Sequence, residues 1–112
     1  MNLLKSVLDL YAMKIERWTA DIIPNIKTLR ELLLNEGLDP MEVDVNSGSK
    51  ISNKRTTLTE VIIITSGDLI FNLSGTQFAL RAGDRLEIAA NTLYSYSNLK
   101  DKPATLLIAY KI

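Results

Sequence analysis

The sequence has 112 residues, of which 46% are hydrophobic and 23% are charged, the composition of one ordinary globular domain. Its 13 basic and 13 acidic residues cancel, so the basic stripe that nucleic-acid binding needs is missing. Cysteine and histidine are both absent. Their absence excludes disulfides and thiolate nucleophiles, and it removes the imidazole that most often binds transition metals or acts as a general base.

The apolar runs are short, as in Val61–Ile64. A membrane-spanning helix needs roughly 20 apolar residues. Lys5 and Asp9 interrupt the N-terminal segment where a secretion signal would lie. We therefore expect a cytoplasmic protein that binds neither membranes nor nucleic acid.

The N-terminal third of the sequence predicts helices around a short strand. Apolar residues of the first twelve positions share one helical face, namely Leu3, Leu4, Val7, Leu8 and Tyr11. We interpret residues 1–12 as a helical extension, with Met13 as an alternative start, and residues 13–112 as the domain. Ile15–Trp18 predicts a strand. Pro24 and Asn25 open a second amphipathic helix, which ends at residues 35–37, where Gly37 accepts the left-handed conformation.

From Met41 onward the pattern predicts short strands separated by turn residues. The expected strands are residues 41–46, 58–65, 68–74, 77–81, 84–88, 92–98 and 104–111. Their regular spacing favours a barrel or a sandwich. Since Val61–Ile64 is apolar on both faces, we expect the barrel interior to cover one face and a helix or a partner subunit to cover the other.

Two glycine-bounded segments resemble the two motifs of the cupin superfamily, G-x5-H-x-H-x3,4-E-x6-G and G-x5-P-x-G-x2-H-x3-N. Gly48, Glu60 and Gly67 stand at the offsets of the first motif, and Gly83 and Asn98 at those of the second. The resemblance covers about residues 14–112. It implies a small single-domain bacterial cupin of mostly β structure, a double-stranded β-helix or jelly-roll barrel with N-terminal helices packed outside.

The resemblance also shows what the usual metal-ligand positions hold. Lys54, Thr56 and Tyr94 replace the three histidines, and only Glu60 is retained. An ammonium group repels a divalent ion and a neutral phenol binds one poorly, so we expect no metal and no cofactor.

Two interpretations of these substitutes are open. Lys54 pairs with Glu60 inside the barrel, or it reaches water from the polar stretch of residues 52–55, which is typical of a loop. Tyr94 and Tyr96, on one face with Asn98, line a pocket or simply fill the interior. The expected ligand pocket consists of Lys54, Thr56, Glu60, Tyr94, Tyr96 and Asn98.

Three functions follow as hypotheses. The favoured one is a metal-free protein that binds or senses a small molecule and is not an enzyme. The second is a metal-independent isomerase, epimerase or lyase with Glu60 as base, Tyr94 as acid and Lys54 as electrostatic stabiliser. The third is a structural dimerisation module, and a homodimer is expected in any case because of the doubly apolar strand.

Overall fold

The computed structural model describes residues 4–10, 12–22 and 24–112, and the side chains of the last two ranges. These residues form ten strands and one helix, α1 (Ile26–Asn35). The strands are β1 (Leu4–Leu10), β2 (Met13–Trp18), β3 (Met41–Val45), β4 (Lys50–Lys54), β5 (Thr59–Ser66), β6 (Asp68–Leu73), β7 (Thr76–Arg81), β8 (Arg85–Ile88), β9 (Tyr94–Ser97) and β10 (Ala104–Lys111).

The strands pair in two antiparallel sheets. The larger sheet has the order β1-β2-β8-β5-β10-β3, and the smaller has the order β4-β9-β6-β7. Every strand predicted from Met41 onward is confirmed, because alternating apolar residues place one face of each strand in the shared core. The core between the sheets includes Ile62 and Ile64 from β5 and Leu69 and Phe71 from β6.

The N-terminal helix prediction is wrong over the residues that the structure describes. Leu4–Leu10 forms β1, which pairs antiparallel with β2 at the edge of the larger sheet. Part of the predicted helix, residues 1–3 and 11, lies outside the described residues. The apolar residues of this segment fit a helical period. The edge of β2, however, offers backbone hydrogen bonds to a neighbouring strand, and a local pattern does not reveal that edge.

Helix α1 forms where the sequence predicts it. The Asn25 side chain accepts a hydrogen bond from the backbone N–H of Thr28, which caps the first turn. At the other end Gly37 has a φ of 81°, and the N–H of Leu38 reaches back to the carbonyl oxygen of Leu33.

The helix covers the outer face of β5. Leu29 and Leu33 of α1 form a second buried cluster with Val61, Ile63 and Leu107 of the sheet. We expected a helix or a partner subunit to cover this outer face of the doubly apolar strand. The helix of the same chain covers it. Within the described ranges, no helix has the length and apolarity needed to cross a membrane.

One side chain, that of Asp84, fastens the end of β2 in the larger sheet to the end of β7 in the smaller one. The carboxylate of Asp84 accepts hydrogen bonds from the backbone N–H groups of Arg81 and Trp18 and pairs with Arg17 at 3.0 Å. Asp84 thus caps the turn after β7 and also anchors the end of β2. The preceding residue, Gly83, has a φ of 94° and lies directly against the Trp18 ring.

Candidate functional site

The position of Lys54 depends on a bulge in β4. Ile51 is opposite Tyr96 and Lys54 is opposite Tyr94, so three residues of β4 span the distance of two on β9. Asn53 has a φ of 53° at this irregularity. Because side chains alternate along a strand, the extra residue returns Lys54 to the inner face that Ile51 already occupies. The expectation that residues 52–55 form a loop is wrong for 52–54, which belong to β4.

Glu60 is the centre of a polar cluster in this interior. Its side chain is 1% exposed, and Oε1 accepts a hydrogen bond of 2.6 Å from the Tyr94 hydroxyl. Its other oxygen, Oε2, lies 3.0 Å from Nζ of Lys54, whose side chain is 23% exposed. We call Lys54, Glu60 and Tyr94 the interior cluster. It joins β5 of the larger sheet to β4 and β9 of the smaller one.

Three tyrosines surround the carboxylate. Burial and the neighbouring Glu60 raise the pKa of Tyr94, and the same two causes raise the pKa of Tyr96 and Tyr110. The ring of Tyr96 stacks on Phe71 with centroids 5.0 Å apart, and Tyr94 lies 6.3 Å from both rings. The phenols are therefore held neutral, and aromatic rings occupy the interior beside the cluster.

Three predicted pocket residues lie outside the cluster: Tyr96 stacks on Phe71 beside it, and Thr56 and Asn98 bond elsewhere. The Thr56 hydroxyl donates to the carbonyl oxygen of Leu58, two residues away, and so stabilises its own turn. Asn98 is buried, but its amide donates to the carbonyl oxygens of Val45 and Lys102 and accepts from Lys100. These backbone contacts lie beyond the end of β9 opposite Tyr94.

Sequence reasoning missed Tyr110 as a neighbour of the site. Tyr110 is opposite Glu60 in the pairing of β10 with β5. Its alternation with the inward-facing Leu106 and Ile108 was visible in the sequence, but the partner of β10 was not. The register of two strands 50 residues apart depends on the whole sheet rather than on local pattern.

The cluster does not fit a transition metal. The retained carboxylate already faces an ammonium group at 3.0 Å, and Tyr94 donates its hydrogen to the other oxygen. A divalent ion at Glu60 would be repelled by Lys54 and would meet a neutral phenol, a weak ligand. Among the described residues, no three histidine, cysteine, aspartate or glutamate side chains are grouped to hold a metal ion.

Residues 41–110 match the sequence model of the Cupin_2 family, described as a cupin domain. The chain belongs to the cupin family. The match includes every residue of the interior cluster and confirms the family that the motif spacing predicts. No curated protein matches the chain in sequence.

Solved structures confirm the jelly-roll cupin fold. A cupin 2 domain-containing protein from Halorhodospira halophila is 14% identical with a TM-score of 0.67, over 91% of this chain and 79% of that one. A predicted oxalate decarboxylase from Thermotoga maritima is 15% identical with a TM-score of 0.60, over 89% and 80%. The Cupin_2 domain of an XRE family transcriptional regulator from Enterobacter cloacae is 17% identical with a TM-score of 0.57, over 90% and 97%.

Proposed function

We propose that this cupin domain binds or senses a small molecule without a metal ion, at the barrel end where the interior cluster lies. The observation that carries the proposal is the pair of Lys54 with Glu60 at 3.0 Å. The ammonium group supplies, beside the retained carboxylate, the positive charge that an ion would otherwise bring. Lys54 is also the most exposed member of the cluster, so an incoming molecule meets it first.

The contacts of Glu60 favour binding over catalysis. A general base needs a lone pair directed at the proton that it removes. In this cluster one carboxylate oxygen accepts from Tyr94 and the other faces Lys54. The raised pKa of Tyr94 makes its phenol a weaker acid than a free tyrosine. The isomerase, epimerase or lyase hypothesis is the second candidate, because its three residues, Lys54, Glu60 and Tyr94, do contact one another in the interior cluster.

The structural relatives are consistent with either role. One belongs to a transcriptional regulator and another is a predicted oxalate decarboxylase, and each shares only the fold with this chain. A cupin barrel therefore does not identify the activity, which depends on the residues of the interior cluster.

The cytoplasmic location and the homodimer also stay proposals. The outer face of β5 at Val61 and Ile63 is buried under α1 of the same chain, so this strand requires no partner subunit to cover it. The doubly apolar strand therefore no longer supports the dimer hypothesis. Light scattering over a concentration series is the measurement that decides whether the protein is a dimer.

The metal content of the protein tests the first half of the proposal. Untagged protein from cells grown with added iron, manganese, nickel and zinc is expected to contain each metal far below one ion per chain. One firmly bound ion per chain would overturn the metal-free proposal. The variant Glu60→Gln, which removes the single retained carboxylate, identifies whether any metal found belongs to this site.

Ligand binding tests the second half. A library of small polar and aromatic compounds is titrated into isotopically labelled protein, and the NMR signals of Lys54, Glu60 and Tyr94 are followed. We expect at least one compound to shift these signals and to lose its affinity in Lys54→Met. The exposed Lys50 on the same strand gives the matched control Lys50→Met. Turnover of the bound compound would favour the enzyme instead.

A further inference from the structure

A groove opens between the two sheets at the barrel end opposite the interior cluster. Its smaller half has a volume of about 330 Å³ and lies between the end of β2, the start of β6 and the end of β7. Its larger half, of about 490 Å³, continues along the residues that follow β2. Both volumes fall in the range of about 300–1,000 Å³ that is typical of small-molecule sites. The two halves form one groove because they share four lining residues, namely Trp18, Thr19, Asp68 and Arg81.

Two opposite charges line both halves of the groove without pairing with each other. Asp68 and Arg81 are directly opposite in the pairing of β6 with β7, and both side chains are exposed. Opposite residues of an antiparallel pair lie on the same face of the sheet, so a contact between these side chains would be expected. Neither residue takes part in an ion pair with the described residues. A carboxylate and a guanidinium group in the groove are therefore both available to a ligand.

Arg17 adds further donors to the smaller half. Its hydrogen bonds to the carboxylate of Asp84 and to the carbonyl oxygen of Ala79 both leave from Nη1. Within the described part of the chain, Nε and Nη2 have no acceptor. The buried Asp84 is already satisfied, because it also accepts from the backbone N–H groups of Trp18 and Arg81. Guanidinium groups with free donors are the preferred partners of a carboxylate, so this half favours an anionic group in the ligand.

Acidic side chains favour a cationic group close by. Asp68 lines both halves, and the exposed Asp21 lines the larger half and makes no ion pair with the described residues. A molecule with one charge would lie beside a like charge, at either Asp68 or Arg81. A molecule with both charges meets an opposite charge at each. Because opposite residues of an antiparallel pair have Cβ atoms roughly 5 Å apart, the two ligand charges must be close together, as they are on one α-carbon.

The larger half of the groove adds an apolar wall. Ile22, Pro24 and Ala82 line it beside the charged residues. The indole N–H of Trp18 donates to the carbonyl oxygen of Ile22 over 3.0 Å, which holds this segment against the barrel. The Ile22 side chain is 71% exposed, so an apolar group bound here would remove it from water and gain affinity from its burial.

We infer that the groove binds a free α-amino acid with an apolar side chain, at a site separate from the interior cluster. The carboxylate of the amino acid accepts hydrogen bonds from Arg81 and from the free N–H groups of Arg17, and its ammonium group donates to Asp68. Its side chain lies against Ile22 and Ala82. This activity goes beyond the function proposed for the interior cluster and does not depend on it.

Three relatives of one amino acid test the ligand class. At slightly acidic pH, where an α-amino group is protonated, leucine carries both charges, N-acetylleucine only the negative one and leucinamide only the positive one. Each is titrated into the full-length protein. The fluorescence and the indole NMR signal of Trp18, the single tryptophan, report on the groove because Trp18 lines both halves. We expect leucine to bind about tenfold more tightly than either relative. Glycine, which lacks the apolar side chain, is expected to bind more weakly than leucine.

Two variants assign each charge of the ligand to its partner. Arg81→Gln is expected to weaken the binding of leucine and N-acetylleucine by about tenfold and to leave leucinamide unchanged, because a charge-assisted hydrogen bond to the carboxylate is lost. Asp68→Asn is expected to weaken the binding of leucine and leucinamide and to leave N-acetylleucine unchanged. Both replaced side chains are exposed, so the fold is expected to tolerate the changes. The exposed Arg55 on the segment after β4 gives the matched control Arg55→Gln, which is expected to alter none of the three affinities.

Tighter binding of N-acetylleucine or leucinamide than of leucine would overturn the inferred ligand class. No response of Trp18 to leucine, or equal affinities in Arg81→Gln and the parent protein, would overturn the site. Such a failure is distinct from a failure of the proposed function. Glu60 lies near the start of β5, whereas Gly67, which lines the groove, follows its end, so the two sites are roughly 20 Å apart along the strand.

Discussion

The hydroxyl of Tyr94 and the carboxylate of Glu60 form a hydrogen bond of 2.6 Å inside the barrel, where both side chains are at least 97% buried. Tyr94 belongs to the smaller sheet and Glu60 to the larger one. With Lys54 on the second carboxylate oxygen, the two sheets are joined by polar contacts at the position where the cupin motif places a metal ion. The polar contact between the sheets at this position therefore depends on Lys54, Glu60 and Tyr94, beside the apolar core that the sheets share.

Removing one charge of the Lys54–Glu60 pair is expected to lower the free energy of unfolding more than removing both charges. Lys54→Met leaves Glu60 as a buried charge without its partner, and we expect a loss of about 3 kcal/mol in the free energy of unfolding. Adding Glu60→Gln in the same chain removes that charge, so most of the loss is recovered. Urea unfolding of the two single variants, the double variant and Lys50→Met measures the coupling. Additive losses would mean that the two side chains do not interact.

The replacement Tyr94→Phe tests the hydrogen bond separately from the ring. The ring stays beside Phe71 and Tyr96, 6.3 Å from each, but Oε1 of Glu60 loses its donor. We expect a loss of about 1–3 kcal/mol, which is the cost of an unsatisfied buried acceptor. The variant Tyr96→Phe is the control, because its ring stacks in the same interior without a hydrogen bond to Glu60. Equal losses in the two variants would contradict the assigned hydrogen bond.

Alkaline pH is expected to destabilise the protein through the same tyrosines. The folded state raises the pKa of Tyr94, Tyr96 and Tyr110 above the ordinary value of 10.0. Each phenol therefore binds its proton more tightly when folded. This stabilisation is complete below about pH 10 and is lost as the pH rises through the folded pKa values, because the unfolded chain ionises first. Absorbance at alkaline pH measures the ionisation.

In that titration we expect the signals of the buried Tyr94 and Tyr96 to appear only as the protein unfolds, and to appear at ordinary pH in guanidinium chloride. The half-buried Tyr110 is expected to ionise above its ordinary pKa. The Tyr94→Phe variant is expected to lose one ionising group from the late phase. Reversible ionisation of Tyr94 and Tyr96 in folded protein near pH 10 would contradict their burial.

The sequence was sufficient to predict the barrel and insufficient to predict the site. Glycine spacing and alternating residues predicted the strands from Met41 onward except β4, because both are local consequences of the same turns and faces. The inward position of Lys54 was not predictable, since it depends on a bulge at Asn53. The polar composition of residues 52–55 favoured a loop and gave no sign of that bulge. The pairing of Tyr110 with Glu60 likewise depends on a long-range register.

Two turn glycines, Gly48 and Gly83, differ in the space that their surroundings leave for a side chain, and this difference is testable. Gly48 and Gly83 both have positive φ, 75° and 94°. A Cβ atom at Gly83 would lie 2.4 Å from Cγ of Trp18, whereas one at Gly48 would meet nothing within 4 Å. We expect Gly48→Ala to lower the free energy of unfolding by about 1–2 kcal/mol from the backbone alone. Gly83→Ala is expected to lower it by clearly more, because the indole must move. Equal losses in thermal or urea unfolding would contradict the contact with Trp18.

An ion pair between Glu36 and Arg85 fastens the end of α1 to the sheet. Glu36, the residue after the helix, binds the guanidinium of Arg85 on β8 through both oxygens. The hydrogen bonds from Arg85 hold the pKa of Glu36 below its ordinary value. The pair therefore stabilises the fold above the unfolded pKa of Glu36, and this stabilisation is lost as the pH falls through the lower folded pKa.

Glu36→Gln is expected to reduce the free energy of unfolding at neutral pH by no more than about 1 kcal/mol, because the Glu36 side chain is 40% exposed and solvent screens the pair. Once the pH falls below the lowered folded pKa, the carboxyl is protonated in both states, so the difference between the variant and the parent protein is expected to shrink. The exposed Glu31 on the same helix provides the control Glu31→Gln. A difference that stays constant across the acid range would show that packing of the helix end, rather than the charge of Glu36, holds α1 on the sheet.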